Sequence, residues 1–99
     1  MTTAVDDVAD LVVPDTAVEK LGRRGITAWE ARQLLWNTKA IVDDHRSPYW
    51  VERRLLIGLT NGGRMLTLVI EGTNDPTTWL VVTGWKTVRR ERRLVREAR

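Results

Sequence analysis

The residues most suited to chemistry lie in the basic C-terminal part of the chain. Residues 86–99 contain seven Lys or Arg and two Glu, a net charge of +5, whereas the first 85 residues carry nine basic and eleven acidic residues, a net charge of −2. Such a block indicates a surface that binds phosphate or an acidic protein, or else a solvated helix face. Because arginine forks bind phosphate and indoles stack on bases, Trp85, Arg89 and Arg93 are predicted to bind substrate.

Four side chains are predicted to form a catalytic set for phosphodiester cleavage: Arg64, Lys86, Arg90 and Glu91. An antiparallel strand that ends near Lys86 lies beside the start of the strand that follows Arg64, so these residues meet at one end of a sheet. RNA supplies its own 2′-hydroxyl as nucleophile in such a reaction, and the protein orients it, stabilises charge and moves protons. This scheme requires no metal ion and no cofactor.

Glu91 has two possible roles. It follows Val88 by three residues and precedes Val95 by four, which places a carboxylate on the apolar side of the predicted C-terminal helix, where it needs a cationic partner. It can form a structural ion pair with Arg64 or Lys86, or it can serve as a general base, and the two roles are compatible.

The composition disfavours several other classes of site. The chain has no cysteine, which excludes disulfides and Cys-based zinc sites, and its single histidine, His45, cannot build a metal centre without several carboxylates converging on it. A general-base role for His45 in a polar loop remains an alternative to simple solvation. No apolar run has the length of a signal peptide or a membrane span, so the chain is predicted to be cytoplasmic with no membrane partner.

Turn and capping signals divide the chain into elements. Residues 1–14 are predicted to be an acidic tail with at most a short strand at 11–13, followed by a single domain over 15–99. Asp15 or Thr16 can cap a first helix, which a left-handed Gly25 ends. A capping box at Thr27 begins a second helix that runs to about residue 37. On that helix Trp29 and Trp36 lie seven apart, a spacing more typical of packing than of a binding platform.

A hairpin is the clearest structural signal. Gly62 and Gly63 suit a two-residue type I′ turn between strands at 49–60 and 64–71. In that register Arg54 lies opposite Glu71, and six apolar side chains share one sheet face. Those six are Leu55, Ile57, Leu59, Leu66, Leu68 and Ile70. A third strand over 79–85, ended by Gly84, leads to a basic helix from Thr87 onward.

These elements predict an α+β fold, with two N-terminal helices, an antiparallel sheet of three to four strands and a basic C-terminal helix. The helices are expected to cover one face of the sheet. The other face is expected to stay open, and an open face bordered by Arg and Lys is a candidate groove.

Several short motifs carry a resemblance to the BrnT toxin family over about residues 15 to 96. The run from Glu19 to Thr27, with Glu30 and Ala31 after it, is similar to the helix and "KHGV" turn of that family. Its "E.R...iG", "GR.L" and "rE" elements are similar to three further sets here: Glu52, Arg53, Arg54, Ile57 and Gly58; Gly63, Arg64, Met65 and Leu66; and Arg90 with Glu91.

The resemblance implies a RelE-like fold and a type II toxin, a metal-independent endoribonuclease held inactive by a DNA-binding antitoxin. The implied partners are RNA, free or as ribosome-associated mRNA, and the antitoxin protein. Arg24 stands where the family often has His, Val95 or Arg96 where a Tyr is usual, and residues 83–85 replace a common "SAR". The rival hypotheses are a non-catalytic module that binds nucleic acid or a partner, and a ParE-like poison of a protein target.

Overall fold

A short strand, two helices, four strands and a last helix follow one another along the chain and assemble into one sheet with helices on both sides. The computed structural model describes residues 8–37, 39–44 and 52–98, which form three helices and five strands. In chain order these are β1 (Asp10–Val12), α1 (Asp15–Gly22), α2 (Ala28–Gln33), β2 (Lys39–Asp43), β3 (Arg53–Leu59), β4 (Met65–Gly72), β5 (Thr78–Lys86) and α3 (Arg89–Ala98). The predicted α+β class is confirmed.

The sheet differs from the prediction in strand number and orientation. Within the described residues it has five strands in the order β1-β5-β4-β3-β2, instead of three to four. All neighbours are antiparallel except β1, which pairs in parallel with β5 through Leu11 and Trp79. The short strand expected in the acidic tail is therefore part of the sheet.

Local hydrogen bonds join α1 to α2 largely as predicted. Gly25 has a φ of +70°, and the Ile26 backbone N–H donates to the Leu21 carbonyl at 3.0 Å, which ends α1. The Thr27 hydroxyl accepts from the Glu30 backbone N–H at 3.0 Å, and the Glu30 carboxylate accepts from the Thr27 backbone N–H at 3.1 Å, which completes the capping box. Two details differ: Pro14 occupies the N-cap position of α1 without a side-chain bond, and α2 ends four residues earlier than expected.

The turn between β3 and β4 is one residue longer than predicted. The Thr60 backbone N–H donates to the Arg64 carbonyl at 2.8 Å, and the Gly63 N–H donates to the Thr60 carbonyl at 3.0 Å. Gly63 has a φ of +86°, but the φ of Gly62 is not positive, so this is a three-residue loop closed by a left-handed glycine rather than a type I′ turn.

The longer loop shifts the pairing register by one residue and changes which side chains share a face. Leu59 lies opposite Met65, and Ile57 lies opposite Thr67. Side chains alternate between faces, so the expected grouping of six apolar residues on one face is wrong. The cross-strand partner of Glu71 is likewise Arg53, with Nε to Oε1 at 3.0 Å, and not Arg54.

Both faces of the sheet bury apolar side chains as a result. On one face Leu66, Leu68 and Ile70 pack with Leu21 of α1 and Leu34, which follows α2. The other face was expected to be open, but Val95 of α3 packs there against another set: Ala40, Leu55, Ile57 and Val69. The sheet therefore lies between α1 and α2 on one side and α3 on the other, and we call these the α1–α2 face and the α3 face.

The last strand, β5, extends past Gly84 to Lys86 instead of ending at that glycine. A Cβ on Gly84 would lie 2.6 Å from Leu68 Cδ2, 2.9 Å from the Thr67 carbonyl oxygen and 3.0 Å from Leu21 Cδ2. The missing side chain is therefore what lets α1 pack closely on the sheet.

Candidate functional site

The start of α3 is held by the carboxylate of Glu91. Glu91 is the third residue of the helix, and its Oε1 accepts the backbone N–H of Val88, the residue before the helix, at 3.1 Å. The Glu91 backbone N–H donates to the Val88 carbonyl at 3.0 Å. This is one half of a capping box, in which a Glu in the first turn satisfies a free backbone donor.

Glu91 also bonds α3 to two strands of the sheet. The side chain is 5% exposed. Its Oε1 accepts the Thr67 hydroxyl of β4 at 2.9 Å, and both of its oxygens lie 3.0 Å from the indole Nε1 of Trp85 in β5. Thr67 in turn shares a 3.0 Å hydrogen bond with Thr87. The predicted position of Glu91 on the inner side of α3 is confirmed.

The expected cationic partner of Glu91 is not found. In the part of the chain that the structure describes, no Lys or Arg nitrogen lies within ion-pair distance of this carboxylate. Neutral hydroxyl, indole and amide donors take the place of a cation. A buried carboxylate can be satisfied in this way because each donor N–H or O–H stabilises its charge.

Arg64 lies on the other face of the sheet from Glu91. Its Nη1 donates to Glu30 Oε2 at 2.9 Å and to the Gly25 carbonyl at 3.1 Å, so it joins the β3–β4 turn to the turn between α1 and α2. The Thr67 side chain that binds Glu91 has the orientation of Val69, on the α3 face. The structure does not bring Arg64 and Glu91 together.

Lys86 and Trp85 end β5 and have different environments. Lys86 is exposed and lies opposite Leu66 in the sheet register, so its side chain is on the same side of the sheet as Leu66, the α1–α2 face. Trp85 is partly buried against the α3 face, and the guanidinium carbon of Arg24 lies 5.9 Å from the centre of its ring. The indole thus binds Glu91 through its N–H and contacts a cation through its π-system.

Three of the basic side chains of α3 line an open groove beside the start of β4. Arg89, Arg92 and Arg96 recur at helical spacing and line a space of about 400 Å³ with Met65 and Val95. We call these five residues the arginine groove. Of the predicted substrate-binding residues it contains Arg89. Arg90 and Arg93 are exposed on the same helix but do not line the groove.

The groove is positively charged and its cations are available. Among the described residues, no carboxylate lies within ion-pair distance of the arginines of α3. Glu91, which lies between Arg89 and Arg92 in the sequence, is buried in the hydrogen bonds described above. Sequence reasoning did not single out Arg92 and Arg96 as a site, although their three- and seven-residue spacing from Arg89 was a usable signal.

Two tryptophans expected to pack are instead exposed. Trp29 is 61% exposed and Trp36 is 53% exposed, and their ring centroids lie 5.5 Å apart with planes tilted by 54°. The packing prediction for this pair is wrong. The seven-residue spacing does place both indoles on one side of the α2 segment, but the side faces away from the sheet.

His45 lies outside the described residues, as do residues 1–7 of the predicted tail. Across 8–37, 39–44 and 52–98, no group of three or more His, Cys, Asp or Glu is placed to hold a metal ion. In those same segments, none of the helices combines the length and apolar character needed to span a membrane.

Comparisons with known proteins give no relative for this chain. No protein-family model, no curated protein and no solved structure matches it. The resemblance to BrnT toxins therefore stays a prediction.

Proposed function

We propose that this protein binds nucleic acid, and RNA in particular, by holding the phosphate backbone in the arginine groove. The observation that supports this most strongly is the convergence of Arg89, Arg92 and Arg96 on one groove without carboxylate partners in the described part of the chain. Guanidinium groups bind phosphate oxygens through paired hydrogen bonds. Met65 and Val95 supply an apolar floor that suits the sugars and bases between phosphates.

Binding is better supported than cleavage. A cleavage scheme with Arg64 and Glu91 requires both at one phosphate, yet Arg64 binds Glu30 on the α1–α2 face and Glu91 binds Thr67 on the α3 face. A general base must also be free to accept a proton from the substrate. The oxygens of Glu91 already accept hydrogen bonds from three groups, so the carboxylate acts as a helix anchor in this proposal.

The test is the salt dependence of RNA affinity, measured by fluorescence anisotropy with a labelled oligonucleotide. For single strands, log K falls with log salt by about 0.7 per neutralised phosphate, so replacing Arg89, Arg92 and Arg96 together by Ala should lower the slope by about 2. Arg23→Ala is the matched control, because Arg23 is an exposed arginine that pairs with Glu19 on α1. It should leave the slope unchanged.

Two results would count against the proposal. A wild-type protein that does not bind RNA at low salt has no such function. An equal loss per removed charge in the groove variant and in Arg23→Ala would mean that general charge, and not the groove, attracts the RNA. Denaturing gels of the same RNA in EDTA test the rival hypothesis, because cleavage that disappears in Arg64→Ala would favour a ribonuclease.

A further inference from the structure

An exposed aromatic and basic stripe lies on the side of the molecule away from α3. It consists of Trp29, Arg32 and Trp36, and we call it the Trp–Arg–Trp stripe. All three residues are exposed, and the two indoles contact each other. By contrast, Trp79 is 4% exposed in the core. Exposed tryptophans leave large apolar surface in water, which is unfavourable unless a ligand covers it.

The indole of Trp36 is supported by a hydrogen bond to the β3–β4 turn. Its Nε1 donates to Asn61 Oδ1 at 3.2 Å, and Asn37 Nδ2 donates to the same oxygen at 3.0 Å. The backbone N–H of Asn61 donates to the buried Gln33 side chain at 2.8 Å. A prearranged aromatic surface loses little conformational entropy when it binds, so this hydrogen-bonded support favours a binding role.

Arg32 gives the stripe a positive charge. Glu30, next to Trp29 in the sequence, is already paired with Arg64 at 2.9 Å. Within the described segments, Arg32 has no carboxylate within ion-pair distance. An anionic ligand with flat, stackable groups therefore complements the stripe in both charge and shape.

The β3–β4 turn and the residues beside it contact both the stripe and the arginine groove, around one end of the sheet. Asn61, in the turn, holds Trp36 on the α1–α2 face. Met65, at the start of β4 just after the turn, belongs to the groove on the α3 face. The path from the groove to the indoles therefore runs around this turn.

We infer that unpaired bases stack on Trp29 and Trp36 while the backbone of the same strand lies in the arginine groove, so that the protein prefers single-stranded nucleic acid. This inference rests on the proposed function and adds the class of ligand. Every base has a π-face, so indoles bind bases without regard to sequence, and Arg32 adds a phosphate contact. A duplex keeps its bases stacked inside and offers none to the stripe.

The experiment compares binding of a single-stranded RNA of about 12 nucleotides with binding of the same sequence as a duplex. Trp29→Ala and Trp36→Ala should each weaken single-strand affinity roughly 10-fold, because stacking contributes on that scale per base. Duplex affinity and the salt slope should not change. Trp36→Phe should restore part of the loss, since a phenyl ring still stacks. Val18→Ala, at another exposed apolar side chain, is the control and should have no effect.

The outcomes separate this inference from the proposed function. The inference is overturned if the groove variant loses affinity for both RNA forms while the double variant Trp29→Ala/Trp36→Ala keeps full single-strand affinity. The stripe would then be a surface for a protein partner. Equal losses for single strand and duplex overturn it as well, because they show no contact with unpaired bases. If the wild type binds neither form, both proposals fail.

Discussion

Replacement of Glu91 tests whether α3 is held to the sheet by its buried carboxylate. In Glu91→Ala, the Thr67 hydroxyl, the Trp85 indole N–H and the Val88 backbone N–H all lose an acceptor. A buried donor without a partner costs about 1–3 kcal/mol. Thr67 can still bond Thr87, and Val88 is 47% exposed and can bind water, so most of the cost falls on the indole and on the cavity.

We therefore expect Glu91→Ala to lower the free energy of unfolding by about 2–4 kcal/mol, a large share of the 5–15 kcal/mol of a typical domain. Glu91→Gln keeps one carbonyl oxygen and nearly the same shape. In the Gln variant an NH₂ group replaces one of the two carboxylate oxygens that accept the Trp85 N–H, at 3.0 Å in the wild type. Because two donors then face each other, we expect the free energy of unfolding to fall by about 1 kcal/mol.

The assay is urea unfolding followed by tryptophan fluorescence, because Trp85 itself contacts Glu91. Glu19→Gln is the matched control, since Glu19 is an exposed carboxylate paired with Arg23 on α1, and such pairs contribute about 0.5 kcal/mol or less. A loss in Glu91→Ala no larger than in this control would refute the anchoring role. So would a Glu91→Gln protein of wild-type stability that had lost an RNA-cleaving activity.

Three further predictions concern the turns and the packing of β5. Gly84→Ala should lower the free energy of unfolding by about 1–3 kcal/mol, because the new Cβ meets Leu68 and the Thr67 carbonyl. Gly22→Ala places its Cβ in open space and should not destabilise the protein. Equal urea midpoints for the two variants would contradict the close packing at Gly84. Gly63→Ala should lower the free energy of unfolding by about 1–2 kcal/mol, because Gly63 has a φ of +86°, whereas Gly62→Ala should leave it almost unchanged. Similar thermal midpoints for the two variants would show that the turn has another conformation. Hydrogen bonds from the Thr77 backbone N–H and hydroxyl hold the pKa of Asp75 below its ordinary 3.8 in the folded protein. The contribution of the ionised Asp75 to folding stability is therefore complete above pH 3.8, and it disappears as the pH falls through the lower pKa of the folded state. An NMR titration of Asp75 with a midpoint at or above 3.8 would disprove this.

Features that depend on neighbours in the sequence were predictable. The Thr27 capping box, the left-handed Gly25 and the position of the β3–β4 turn all follow from a few adjacent residues, because hydrogen bonds within a turn do not need the rest of the fold. The concentration of positive charge over residues 86–99 was equally predictable, and so was the inner position of Glu91 on α3. These observations led to the α+β class and to α3 as the basic element.

The partners of each functional side chain were decided by the tertiary structure. The strand β3 is apolar on both faces from Leu55 to Leu59, so this part of its sequence does not specify which side chains point to which face. One extra residue in the turn reversed the faces, α3 covered the side expected to be open, and Arg64 came to lie away from Glu91. Helical spacing likewise placed Trp29 and Trp36 together without revealing that their side of α2 faces away from the sheet. Periodicity determines which residues share a side, but only packing between distant segments determines what that side meets.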